Sequence, residues 1–78
     1  MANQDLVERA GKVLFQNYRT QPVALVRGEG TAVWDADGKK YLDFIGGIAT
    51  VSVGHANPRV REAVLEQTKL LWHASNLY

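Results

Sequence analysis

The stretch VALVRGEGTAVWDADGKKYLDFI, Val23–Ile45, decides the architecture. It holds three short β-prone runs divided by turn residues. Val23–Arg27 is closed by Gly28-Glu29-Gly30, Ala32–Asp35 by Ala36-Asp37-Gly38, and Lys40–Ile45 is the third run. An Asp-Gly pair between two such runs is a strong hairpin signal, because both residues tolerate the positive φ that tight turns demand. Two hairpins in succession predict a three-stranded antiparallel meander over 23–45.

Upstream, Leu6, Val7, Ala10, Val13 and Leu14 fall on one face at helical spacing, predicting a helix over 3–17. Asn3 is placed to cap it, and Asp5, Glu8 and Lys12 suit the helix dipole. Gly11 costs about 1 kcal/mol relative to Ala, so this helix needs a surface to dock on. Tyr18–Pro22 reads as irregular. Downstream, Gly46-Gly47 breaks the third strand and the small apolar run 48–53 reads as extended. Asn57-Pro58 is a well-formed helix start, and Val60, Ala63, Val64, Gln67 and Leu71 form the apolar stripe of a helix over 58–71. Trp72–Tyr78 carries two aromatics with no closing cap. The fold class is α+β, and residues 1–78 read as a single partial domain without repeat or linker.

Composition narrows the function classes. The chain has 78 residues, 46% hydrophobic and 22% charged, which argues against disorder and low-complexity sequence. A chain this short buries only about 60% of its unfolded surface, so its own stability is marginal. Nine Lys plus Arg against eight Asp plus Glu give a net charge of +1, too little for the basic field that binds nucleic acid. There is no cysteine, and His55 and His73 lack the partners of a zinc site. The longest strongly apolar stretch, Phe44–Val53, is about half a membrane span. The opening MANQDLVERAGK is polar from the start, unlike a secretory signal. A soluble, cytoplasmic protein that binds neither nucleic acid nor membrane is expected.

Candidate chemical groups are few. Gly28-Glu29-Gly30 precedes a strand rather than a helix, so a hairpin turn accounts for it better than a phosphate loop. His55, after Gly54 and before a helix, has two readings: a proton shuttle or anion contact, or a loop imidazole that orders the turn. His73 has no triad partner at telling spacing. Asp35 and Asp37 are explained by the second hairpin, while Asp43 can satisfy backbone groups, pair with an Arg, or serve as an acid–base group. Lys12, Lys39, Lys40 and Lys69 all lie on polar faces or beside a turn, and none has the desolvated setting of a Schiff-base nucleophile. Tyr18 is a ligand-binding candidate or else a half-buried lid over the helix and sheet.

An ordered set of motifs adds a resemblance. Arg27-Gly28-Glu29-Gly30, Val33-Trp34-Asp35, Asp37-Gly38, Tyr41-Leu42-Asp43-Phe44, Gly46-Gly47-Ile48-Ala49, Gly54-His55, Asn57-Pro58 and Leu71–Tyr78 follow one another at the spacing of class III (subgroup II) pyridoxal-phosphate aminotransferases. From about Asn17 onward the chain resembles the N-terminal region of that family. Gly-Gly-Ile-Ala and Trp-His-x-Ser-Asn are most similar to its acetylornithine-type members, with succinylornithine-type members very close.

The resemblance implies the N-terminal, small-domain part of a type I (aspartate-aminotransferase-like) fold, with Trp72–Tyr78 starting the crossing to a large domain. It implies a homodimeric enzyme that carries pyridoxal 5'-phosphate and passes the ω-amino group of N2-acetylornithine to 2-oxoglutarate in arginine biosynthesis. The cofactor's lysine, the partner of its ring nitrogen, its phosphate loop and the substrate-carboxylate arginine lie downstream in the family. No catalytic or cofactor-binding residue therefore maps onto this chain, and the chain alone is expected to be inactive. Two substrate-binding positions carry over: Tyr18, which faces substrate in ornithine-type members, and Ile48, which follows the Gly-Gly pair and lines the substrate pocket. Ornithine aminotransferase carries Tyr at the latter site. An apolar Ile offers no hydrogen bond to a free α-amine, which suits a blocked one. Ser75 and Asn76 receive no role. The alternatives are a fragment of a succinylornithine, 4-aminobutyrate or ornithine aminotransferase, or a stand-alone binding module derived from the same fold.

Overall fold

A computed structural model describes residues 1–78. The elements are α1 (Asn3–Val13), β1 (Leu25–Glu29), β2 (Ala32–Asp35), β3 (Lys40–Leu42), a single turn α2 (Gly46–Ala49) and α3 (Pro58–Gln67). The strands form one antiparallel sheet in the order β1-β2-β3, the predicted meander. The central strand holds all the buried residues, Ala32, Val33 and Asp35, because it alone is covered along both edges.

The first hairpin lies later than its glycines suggest. Gly28 and Glu29 belong to β1, opposite Val33 and Ala32, so the turn is Gly30-Thr31 alone. Gly30 has φ +58°, the left-handed conformation such a turn needs. Gly28 sits in the strand because His55 packs on it: a Cβ there would lie 2.7 Å from the imidazole. At the other end, β1 starts only at Leu25, since the Ala24 amide donates to the Asn3 side chain.

Asn3 does not cap α1. Ala2 occupies the cap, and its amide donates to Asp5. Asn3 instead ties the helix to the sheet: Oδ1 accepts from the Ala24 and Ala36 amides, and Nδ2 donates to Asp35. The helix ends at Val13 rather than residue 17. Leu14 turns extended and its carbonyl accepts from the Gln16 side chain, in a stretch where Val13 and Phe15 favour helix weakly.

The segment expected to be extended over 48–53 is a left-handed turn followed by a bend. Gly46, Gly47, Ile48 and Ala49 have φ of 60°, 67°, 64° and 61°. Gly46-Gly47 makes this turn affordable, but Ile48 and Ala49 each carry about 1–2 kcal/mol of left-handed strain. Next, α3 begins where Asn57 and Pro58 predict, with Asn57 Oδ1 accepting from the Arg59 and Val60 amides. It stops at Gln67 instead of 71. The chain then unwinds through tighter turns, in which the Gln67 side chain donates to the Leu71 carbonyl and the Trp72 indole to that of Thr68.

The accessible surface is 7256 Å², against about 4,700 Å² for a compact monomer of this mass. The radius of gyration is 15.6 Å, against about 11.5 Å for a compact chain of this length. Large apolar side chains stand open on both long helices, among them Val7, Val13, Val60 and Val64.

Candidate functional site

Two aspartates organise the molecule. Asp35 closes the second hairpin. Its Oδ1 accepts from the Asp37 and Lys39 amides at 3.0 and 2.9 Å, and its Oδ2 from the Tyr41 hydroxyl at 2.7 Å and Asn3 at 3.1 Å. The Tyr41 hydroxyl above all, then the Lys39 amide, Asn3 and the Asp37 amide, favour the carboxylate over the opposing effect of burial. They hold its pKa at about 2, below the ordinary 3.8. The same bond pushes the Tyr41 pKa up. Every acceptor site of Asp35 is thus taken up by the fold, which leaves it a structural group.

Asp43 stands where β3 gives way to the left-handed turn. Its amide continues the ladder to the Thr31 carbonyl. Its Oδ1 accepts from the Ile45 and Gly46 amides at 3.0 and 2.9 Å, bending the chain out of the strand. Its Oδ2 meets His55 Nε2 at 2.5 Å. The Gly46 amide first, then His55 and the Ile45 amide, hold its pKa below the usual carboxylate range. Of the roles its sequence leaves open to Asp43, the structure realises the bond to backbone groups, and His55 stands in place of an arginine.

His55 is fixed from three sides. Its backbone pairs both ways with Gly30, N–H to carbonyl at 2.8 Å and carbonyl from N–H at 3.0 Å. Its ring lies on Gly28, and Gly54, at φ +88°, passes so near the Gly30 backbone that a Cβ would lie 3.1 Å from the Gly30 Cα. The imidazole bonds a carboxylate rather than the backbone, a long-range partner that local sequence does not announce. Gly28 reads by sequence as a turn residue, and only its place in β1 opposite Val33 shows that it makes room for the ring.

The two substrate-binding candidates are both open. Tyr18 is 80% exposed, at the mouth of a groove between α1 and the irregular segment, lined by Leu6, Ala10, Leu14 and Val23. It is not a half-buried lid. Ile48, 86% exposed, projects from the left-handed turn and does not line the groove beside Tyr18. Arg27, Trp34 and Lys40 are cross-strand neighbours on one sheet face, with both cations over the indole at 3.6 and 5.7 Å. Lys39 lies 5.3 Å from the Tyr41 ring centre, and Lys69 pairs with Glu66. No three His, Cys, Asp or Glu side chains converge, and no helix is long and apolar enough to cross a membrane.

Comparison with known proteins gives this architecture a family. Residues 14–78 match the family model for class-III aminotransferases. The acetylornithine aminotransferase of Streptomyces coelicolor is 54% identical over all 78 residues, which span 19% of that relative. Among solved structures, the acetylornithine aminotransferase of Elizabethkingia anophelis superposes on the whole chain with TM-score 0.87 at 38% identity, over 20% of its own length. An ornithine δ-aminotransferase of Plasmodium falciparum does so with TM-score 0.86 at 31% identity, also over 20% of its length. The chain therefore spans about a fifth of the proteins it matches. The α+β helix–meander–helix unit is the corresponding part of their fold. With the family match covering all but the first thirteen residues, the chain belongs to the class-III aminotransferases.

Proposed function

We propose that these residues are part of an ω-transaminase that moves the terminal amino group of N2-acetylornithine to 2-oxoglutarate, giving N-acetylglutamate semialdehyde and glutamate. The observation that carries the reading is likeness over every residue, in sequence and backbone, to proteins named acetylornithine aminotransferase. Within the chain, the open apolar side chain of Ile48 fits a donor whose α-amine is acylated, because it offers that nitrogen no hydrogen-bond partner. Tyr18, with a free hydroxyl on an open ring, is the second substrate-facing candidate.

Pyridoxal phosphate, when bound in such an enzyme, supplies the electron sink for amino transfer. The residues of this chain do not fit as its holders. All four lysines are exposed, and the first free amides of α3 are already taken by Asn57. No step is therefore assigned to residues 1–78 through that group, and the segment by itself is expected to be inactive. What it contributes is shape: one wall of a binding pocket, held on a sheet. The same reading carries a cytoplasmic homodimer with small-molecule substrates in arginine biosynthesis.

The test is a donor panel assayed by glutamate formation, using the purified polypeptide that carries these residues. N2-acetylornithine, N2-succinylornithine, ornithine and 4-aminobutyrate are compared. The expected result is the highest kcat/KM for N2-acetylornithine, with parallel double-reciprocal lines against 2-oxoglutarate. Preference for ornithine or 4-aminobutyrate, or no turnover of any donor, overturns it.

A further inference from the structure

We propose that Asp43 and His55 act as a positioning pair that holds the left-handed turn Gly46–Ala49, and through it Ile48, in the conformation that discriminates between acylated and free α-amines. This rests on the reading of Ile48 as a pocket wall.

Within residues 1–78 little else holds Ile48, whose side chain is 86% exposed there. The turn's own bonds are short-range: the Ala49 amide to the Ile45 carbonyl, the Thr50 and Val51 amides to the Gly46 carbonyl, and the Thr50 hydroxyl to the Gly47 carbonyl. Those bonds do not compel a left-handed sense, and a β-branched residue at φ 64° resists it. A strained conformation persists only where its surroundings over-determine it. The constraint enters at Asp43, whose one carboxylate oxygen gathers the two amides that open the turn.

That carboxylate is aimed in turn by His55, which occupies its second oxygen. The imidazole cannot follow a moving Asp43, because its own backbone is paired with Gly30 and its ring lies on Gly28. An unbroken line thus runs from the rigid β1–β2 hairpin through His55 and Asp43 to the Ile45 and Gly46 amides and so to Ile48. Neither Asp43 nor His55 needs to touch substrate. Loosening either lets the turn relax to right-handed or extended backbone and swings Ile48 away.

The experiment measures the ratio of kcat/KM for N2-acetylornithine to that for ornithine in the holoenzyme that carries these residues. It compares wild type, Asp43→Asn, His55→Ala, His55→Gln and the double variant Asp43→Asn/His55→Ala. Asp43→Asn and His55→Ala are each expected to lower the ratio by about 10-fold, chiefly through KM of the acetylated donor. The double variant should fall no further than the worse single, as for two members of one unit. His55→Gln, whose amide can donate to Asp43, should recover much of the loss. A merely structural role would reduce turnover of both donors together and leave the ratio in place; that result overturns the proposal. Amide hydrogen exchange on the wild-type protein gives a reading free of variants. Ile45 and Gly46 should be the most protected amides between residues 44 and 50, and rapid exchange at both contradicts the clamp. Wild-type enzyme inactive on every ω-amino donor would instead sink the functional reading, while the exchange measurement still reports on the clamp.

Discussion

Asp35 and Asp43 stand at the ends of neighbouring strands and do the same local job, gathering amides at a turn. Their surroundings make the outcomes differ. Asp35 is buried, accepts four hydrogen bonds and closes a hairpin whose residues suit their conformations. Asp43 accepts three, one of them from an ionisable ring, and opens a turn in which Ile48 and Ala49 sit in left-handed backbone. A turn held by redundant partners fixes a scaffold. A strained turn held by one carboxylate fixes a side chain pointing outward, and that side chain, Ile48, is the one with a proposed contact to substrate.

The comparison is broken most severely at the piece that joins its two halves. Gly28→Ala places a methyl 2.7 Å from the His55 ring, which cannot retreat without tearing its pairing with Gly30. The expected loss is about 1–3 kcal/mol of stability, read by denaturant unfolding, as for other overpacked sites. Gly30→Ala is the useful contrast: open space surrounds it, so only its φ of +58° opposes the change, at about 1–2 kcal/mol. Equal, negligible losses at both glycines would remove the ring-on-glycine contact from the account.

Acid sharpens the difference between the two carboxylates. Both have pKa values lowered by folding, so each contributes stability that is present above the unfolded pKa of about 3.8 and is lost as pH falls through its folded value. For Asp35 that window runs from about 4 down to about 2. Tyr41 has the opposite sign: its raised pKa gives stability present below the ordinary 10.0 and lost as pH rises past it. Thermal unfolding followed from pH 5 to 2 should therefore fall steeply in wild type and flatten in Asp35→Asn. An unchanged slope in that variant contradicts the assignment.

The smallest effect tests the strain itself. Ala49→Gly removes the left-handed penalty at φ 61° but adds backbone entropy to the unfolded chain. The balance is a gain of about 0.5–1 kcal/mol by denaturant unfolding. A loss of stability would mean that the turn is not strained at that residue.

Legibility in the sequence follows the range of the interaction. The meander, the Asp37-Gly38 turn and the Asn57-Pro58 helix start were readable because each is decided within a few residues. The first hairpin was displaced because Gly28 reads locally as a turn residue, whereas its hydrogen atom serves a ring 27 positions away. Asn3 reads as a cap by type, but its partners Ala24, Asp35 and Ala36 lie 21 to 33 residues on. The Asp43–His55 pair spans twelve residues and carries no spacing signature. Gly46-Gly47 announced a break in the strand, yet nothing in the apolar run after it signalled a left-handed turn in place of extended chain. Tyr18 and Ile48 came from family resemblance, since exposure and chemistry alone do not single out either.

The most direct test of the central claim, that the turn carries a wall of the substrate pocket, is Ile48→Tyr in the holoenzyme that carries these residues. The quantity is again the ratio of kcat/KM for N2-acetylornithine to that for ornithine. The account predicts a fall of about 10-fold or more, with ornithine gaining in absolute terms because the phenol supplies the polar partner that Ile48 lacks. A variant that turns over both donors with the wild-type ratio would contradict it.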